Sequence, residues 1–203
     1  MVKEGYRFAA PPLIGGVALL YFKLYWWAGP VLFLGLFILY FFRDPERVPP
    51  DDPAAVVSPA DGRVVAIVDE EWEGRPGRRI SIFLSVWDVH VNRAPVAGRI
   101  RSVEYRKGRF YAALRERASG QNEQNVISIS TPRGEMMCKQ IAGWIARRVI
   151  CWKKAGDGVA LGERIGMIRF GSRVDVWLPR EAQIVVQTGR HVAGGKSVLA
   201  RWT

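Results

Sequence analysis

From Phe8 to Phe42 the chain carries one charge, Lys23, whereas residues 43–203 are charge-rich and strongly basic. That contrast argues against one uniform globular core. The apolar part divides into "FAAPPLIGGVALLYF" (8–22) and "LYWWAGPVLFLGLFILYFF" (24–42). At 1.5 Å per residue the second stretch reaches about 28 Å, close to the thickness of the hydrocarbon layer of a bilayer. The first is interrupted by Pro11-Pro12 and Gly15-Gly16. Tyr25, Trp26 and Trp27 suit a headgroup belt at the joint. Residues 1–43 are therefore expected to form a hydrophobic helical membrane anchor, either a hairpin or a re-entrant segment, with a second domain over 44–203. Lys3 and Arg7 precede the pair and Arg43 and Arg47 follow it. The positive-inside bias then puts both ends, and the domain, on the cytoplasmic side of the cell membrane. A signal peptide fits poorly, because the second stretch is too long and too aromatic. The competing reading, two core helices of a soluble domain, needs an unusual amount of continuous apolar surface in water.

The net charge of +11 asks for an anionic partner. Nucleic acid and an anionic lipid surface both qualify. The apolar N-terminus favours the lipid, so no nucleic acid is expected. Cys138 and Cys151 form no CxxC pair, and two His with two Cys give no metal-ligand spacing. No metal is expected, and the thiols read as buried or idle.

Beyond the Pro-rich linker "FFRDPERVPPDDP" (41–53) the chain alternates short β-branched runs with glycine: 63–68, 79–84, 125–130, 173–178 and 183–188. "NVISIS" and "RVDVWL" alternate apolar and polar residues, the period of a half-buried strand. One helix is expected over 109–118, "RFYAALRERA". The domain reads as mainly β. Gly156-x-x-Val159-x-x-Gly162 recurs as Gly189-x-x-Val192-x-x-Gly195, 33 residues later. Such turns resemble those of lipoyl-like barrel-sandwich domains, in which the glycines take positive φ or pack closely.

Four stretches carry candidate chemistry. "SPADG" (58–62) places Asp61 on a tight turn, where a carboxylate can orient a histidine or serine. "SVWDVHVNRAPVAG" (85–98) holds His90, one of two histidines. Asp88, His90 and Asn92 would share one face of a strand and Arg93 would point to the other. "QIAGWIARRV" (140–149) offers Arg147 and Arg148 as charge-assisted donors to a phosphate headgroup. Gly171-Ser172 places a serine hydroxyl next to a residue whose backbone bends freely.

Together, "FFRDPER", "SPADGRV", "ISIFLSVWDVHVNRAPVAG", "QIAGWIARR", "GERIGMIRFGSRVDVWLP" and "VAGGKSVLA" resemble the phosphatidylserine decarboxylase family, in its short membrane-anchored branch. The resemblance implies a proenzyme. Ser172 attacks the Gly171 carbonyl, the peptide shifts to an ester, and elimination then hydrolysis leave chains 1–171 and 172–203 with a pyruvoyl group in place of Ser172. The covalent pyruvoyl cofactor forms a Schiff base with the amine of phosphatidylserine and accepts the electrons freed as CO₂ leaves. Phosphatidylethanolamine is the product. The resemblance also implies that the two fragments stay associated and pair as homodimers. His90 is the expected acid/base, Asp61 the residue that orients the groups activating Ser172, and Arg147, Arg148 and Asn92 the substrate contacts. The chain departs from the longer members' D-x-H-x-x-H-x-P pattern, because Arg93 stands where the second histidine would be. Self-cleavage then falls to His90, serving both steps, or to His191 in "GRHVAGG". Two alternatives remain: a pyruvoyl decarboxylase of another amine, such as archaetidylserine or a soluble amino acid, and a membrane-tethered barrel-sandwich adaptor without catalysis.

Overall fold

The computed structural model describes every residue except 115–117, 145–147 and 170–171. The chain divides into two compact units, Met1–Glu46 and Arg47–Thr203.

The first unit is a pair of antiparallel helices, α1 (Lys3–Tyr21) and α2 (Tyr25–Phe41). Glycine lets them approach: a Cβ on Gly16 would lie 2.6 Å from the Leu32 side chain, and one on Gly35 2.6 Å from Leu13. Lys23 turns the chain between them with a φ of 59°. Among the described residues no helix is long and apolar enough to cross a membrane. Two features shorten them. The first turns of α1 carry Lys3, Glu4 and Arg7, and α2 has 17 residues, about 26 Å. The spanning anchor expected from the 19-residue run therefore finds no support in these helices. Tyr21, Phe22, Tyr25, Trp26 and Trp27 are exposed around the turn.

The second unit contains fourteen strands among the described residues. First come β1 (Ala55–Val57), β2 (Gly62–Trp72) and β3 (Arg75–Leu84). A middle group follows: β4 (Val91–Arg93), β5 (Gly98–Arg106), β6 (Gln124–Thr131), β7 (Gly134–Ile141), β8 (Val149–Cys151), β9 (Gly158–Val159) and β10 (Arg164–Ile168). Last are β11 (Ser172–Pro179), β12 (Ala182–Ile184), β13 (His191–Val192) and β14 (Val198–Trp202). A one-turn helix, α3 (Ala118–Gln121), precedes β6.

The middle seven strands repeat the arrangement of the outer seven. The large sheet runs β13-β2-β3-β11-β7-β6-β5-β9, which matches itself from either end. The small sheets, β1-β14-β12 and β4-β10-β8, correspond in the same way. Gly62 pairs with Val192 as Gly98 pairs with Val159. Both halves carry a bulge at the same place, between Val64 and Ala66 and between Ile100 and Ser102. The repeated G-x-x-V-x-x-G turns are the visible trace of this duplication. All four of their glycines have positive φ, between 72° and 93°. The two turns touch: a Cβ on Gly162 would lie 3.3 Å from the Gly195 carbonyl oxygen. Contact between turns that follow opposite edge strands requires the large sheet to curl.

The mainly β reading holds, and four of the five expected runs lie within long strands. The run at 183–188 is a strand only over Ala182–Ile184. No helix covers the described residues of 109–114, and α3 starts at Ala118. The half-buried reading of "NVISIS" and "RVDVWL" is also corrected, since β11 is buried from Ser172 to Leu178. Its inner face joins the core of Ile80, Ile82, Leu84, Ile127, Val174 and Val176. Its outer face is covered as well, by charge. Asp175 accepts from Arg173 Nε at 2.6 Å and from Ser119 Oγ of α3 at 2.5 Å. Arg79 lies 3.6 Å from Asp175, and both arginines donate to Ser81 Oγ. Burial pushes the neighbouring Lys139 ammonium down in pKa, and Asp175 opposes that.

Two substitutions test this construction by urea denaturation of the full chain. Gly62 has a φ of 147°, and a Cβ there would lie 2.2 Å from the Phe83 carbonyl oxygen. Gly62→Ala is expected to cost about 3 kcal/mol through strain and overpacking. Asp175→Asn removes the carboxylate between two buried arginines and is expected to cost about 3–5 kcal/mol.

Candidate active site

Because the middle seven strands are inserted between β3 and β11, the chain crosses between the halves twice, at 85–90 and at 169–171. The candidate residues gather at these crossings. Ser172 opens β11 opposite Leu84, the last residue of β3. Strand alternation turns its side chain inward with Val174 and Val176. Ser172 is wholly buried, and its Oγ has no hydrogen-bond partner among the described residues. A buried hydroxyl in that state costs about 1–3 kcal/mol, so it calls for a functional reason. Gly171 and Arg147, both expected to take part, lie outside the described residues.

His90 ends the other crossing and is wholly buried. Its Nδ1 lies 2.9 Å from the backbone carbonyl oxygen of Asp88. A carbonyl only accepts, so Nδ1 carries the hydrogen, and Nε2 of the neutral ring holds the basic lone pair. The His90 carbonyl accepts from Ile168 N–H at 3.2 Å, which fixes His90 beside the end of β10, four residues before Ser172.

The expectation that Asp88, His90 and Asn92 share a strand face is corrected: β4 begins at Val91, and Asp88 lies in the preceding turn. Its Oδ2 accepts from Ser85 N–H and Oγ, at 2.8 and 2.7 Å. Its Oδ1 meets His191 Nε2 at 2.9 Å. Asp88 thus links the two histidines, one by its backbone and one by its carboxylate. His191 is 60% exposed, unlike His90.

Asn92 is wholly buried and accepts from Gln140 Nε2 at 2.8 Å. Gln140 lies opposite Val174 on β7, and Asn125 of β6 donates to it at 3.1 Å. The sequence reading missed Gln140 and Asn125. Nothing local marks either residue, since both stand among other polar residues in β6 and β7. Asp61 accepts from Gly194 N–H at 2.7 Å and from Arg47 at 2.8 Å. β3 separates β2, which Asp61 precedes, from β11, since Phe83 pairs with both Arg63 and Arg173. Arg93 is buried in the twin glycine turns and donates to the Gly162 carbonyl at 3.1 Å. Arg148 is exposed on an open cleft of about 470 Å³ that Asn125, Ile150 and Lys153 also line. Burial raises the pKa of both thiols, Cys138 and Cys151, so they resist ionisation. Among the described residues no three His, Cys, Asp or Glu side chains are placed to hold a metal ion.

These features, a buried serine at a chain crossing and a histidine with a set tautomer, suit a reaction that needs a nucleophile and a dry proton carrier. Comparison with known proteins agrees. The family model described as phosphatidylserine decarboxylase matches residues 34–200. A protein of Solibacter usitatus (strain Ellin6076) named phosphatidylserine decarboxylase proenzyme is 50% identical over 181 residues, covering 87% of this chain and 86% of that protein. The chain belongs to the phosphatidylserine decarboxylase family.

Proposed function

We propose that the chain is a self-processing decarboxylase that converts phosphatidylserine to phosphatidylethanolamine. Self-cleavage between residues 171 and 172 turns Ser172 into the pyruvoyl group. The observation that carries this reading is the buried Ser172 hydroxyl without a hydrogen-bond partner among the described residues. It fits a nucleophile waiting for its carbonyl, and equally a position where a buried ketone can form. When present, the pyruvoyl group supplies a conjugated carbonyl that takes up the electron pair released with CO₂.

The chain's own residues do the rest. His90 Nε2 is the base that takes the Ser172 proton, and it later returns a proton to the carbon that has lost CO₂. His90 is preferred to His191 for both steps because it is buried. Asp61 is a positioning carboxylate, acting through the Gly194 turn rather than by touching Ser172. Arg148 receives the headgroup phosphate at the cleft, with Arg147 beside it in sequence. The burial of Ser172, His90 and Asn92 keeps water from the reaction. The duplicated, curled sheet with its touching glycine turns supports the barrel-sandwich reading. The backbone ladders of β11 are what would hold fragment 172–203 to fragment 1–171.

A lipid substrate requires the site to face a membrane. β3 and β7 end, and β11 begins, at the same end of the sheet. The loops there expose Trp87 and Trp144, and Arg148 follows Trp144 by four residues. Aromatic and basic groups together suit the headgroup layer of an anionic membrane. A membrane location is our inference from these groups, and the cytoplasmic side rests only on Lys3, Arg7, Arg43 and Arg47, which flank the apolar helices.

Three measurements test the proposal. Mass spectrometry of the wild type should find a C-terminal 172–203 fragment lacking an amine, while Ser172→Ala should stay a 22.8 kDa chain that releases no CO₂. A Ser172→Ala chain that still splits would sink the idea. His90→Ala should split slowly, and CO₂ release per split chain should fall about 10²–10⁴-fold. Loss of both assigns both steps to His90. Trp87→Ala with Trp144→Ala should weaken sedimentation with anionic vesicles while splitting stays normal.

A further inference from the structure

Three buried amides inside the curled sheet form a chain with one direction. Asn125 Nδ2 donates to Gln140 Oε1 at 3.1 Å, and Gln140 Nε2 donates to Asn92 Oδ1 at 2.8 Å. The direction is set at Gln140. Its Nε2 also faces the Ile150 carbonyl oxygen at 3.2 Å, an atom that can only accept. Reversing the Gln140 amide would put two oxygens face to face. Asn92 must therefore turn its oxygen toward Gln140 and its nitrogen away. That Nδ2 is buried and has no hydrogen-bond partner among the described residues. Gly166 makes room for the crossing, because a Cβ there would lie 2.1 Å from the Ile150 oxygen and 2.8 Å from Gln140 Nε2.

The unfilled donor sits in the reacting region. Asn92 is two residues from His90, and its partner Gln140 lies opposite Val174, two residues along β11 from Ser172 and so about 7 Å away. We propose that Asn92 Nδ2 is a binding subsite for one acceptor oxygen, with Gln140 and Asn125 as positioning residues that aim it; this rests on the decarboxylase reading above. Two oxygens have that chemistry. One is a carboxylate oxygen of the serine headgroup. The other is the carbonyl oxygen of residue 171, which gains negative charge as Ser172 attacks. A neutral donor suits either. It holds a carboxylate without the ion pair that would stabilise the ground state against loss of CO₂. At the carbonyl its bond strengthens as charge develops.

The test compares full-length wild type, Asn92→Ala, Asn92→Asp and Gln140→Leu. Splitting is timed on denaturing gels, and CO₂ release from phosphatidylserine is measured in mixed micelles. Asn92→Asp keeps the shape and replaces the donor by an anion. A donor subsite makes it worse than Asn92→Ala, and both at least about tenfold worse than wild type in one assay. Slowed splitting identifies the carbonyl of residue 171. Normal splitting with a raised KM identifies the substrate carboxylate. Gln140→Leu should shift the same parameter by a smaller factor, and it supplies that readout if an Asn92 variant does not fold. The inference is overturned if Asn92→Asp is tolerated better than Asn92→Ala, as a packing role requires, or if no variant departs from wild type. A wild type that neither splits nor releases CO₂ overturns instead the function on which the inference rests.

Discussion

β11 is hydrogen-bonded along both edges, to β3 over Ser172–Pro179 and to β7 over Arg173–Trp177. The rest of the second unit is arranged around that placement. The strand returns to its own half only after seven other strands have been completed, and it closes the gap between β3 and β7. Being central, it is buried on both faces, so its alternate side chains enter two separate environments. Ser172 and Val174 face an interior of aliphatic side chains and the buried amides of Asn92, Gln140 and Asn125. Arg173 and Asp175 face a cluster that is buried but charged, and that also pins α3 through Ser119. A buried ion pair is weak evidence for stability. Here its clearer consequence is registration, because a shift of one residue would carry Arg173 and Asp175 into the apolar core.

The duplication bears on where the candidate residues sit. Matching positions can be read across the halves from the ladders. Ser172 opens β11 where Gly134 opens β7, and Asp61 precedes β2 where Ala97 precedes β5. His90 precedes β4 where Ala54 precedes β1. In each pair one half holds a polar candidate side chain and the other holds glycine or alanine. Symmetry built the scaffold, and the candidate chemistry occupies the places where the halves differ.

Much of this was legible in the sequence for local reasons. β-branched runs mark strands, and paired glycines mark turns that need positive φ, which is why the G-x-x-V-x-x-G echo pointed to a real repeat. Ser172 and His90 stood out because few residue types can do such chemistry. What was not legible depends on long-range pairing. β5 and β7, "GRIRSVEYR" and "GEMMCKQI", mix charge into their strands and so do not stand out as β-branched runs. Gln140 looks like an ordinary polar residue until β7 turns it inward. The repeat at large was hidden because it is carried by ladders and bulges, with only a few glycines preserved as letters. The spanning anchor finds no support because α2 has 17 residues, fewer than the 19-residue apolar run counted in the sequence, and α1 opens on charged residues.

The position of the crossing at 169–171 has a consequence for how the protein comes apart. Under the proposed cleavage between residues 171 and 172, the ladders of β11, from Ser172 to Pro179, join the second fragment's strand to its neighbours β3 and β7. The unfolded states of precursor and mature protein differ. The uncut chain unfolds into one molecule, and the cut chain into two that can diffuse away from each other. The stability of the mature form then depends on its own concentration, as that of any two-chain complex does. Refolding must also recapture β11 without the covalent tether that first delivered it between β3 and β7. Maturation on this plan makes folding a one-time event: the intact chain assembles the site, and the finished enzyme inherits a structure it is poorly equipped to rebuild.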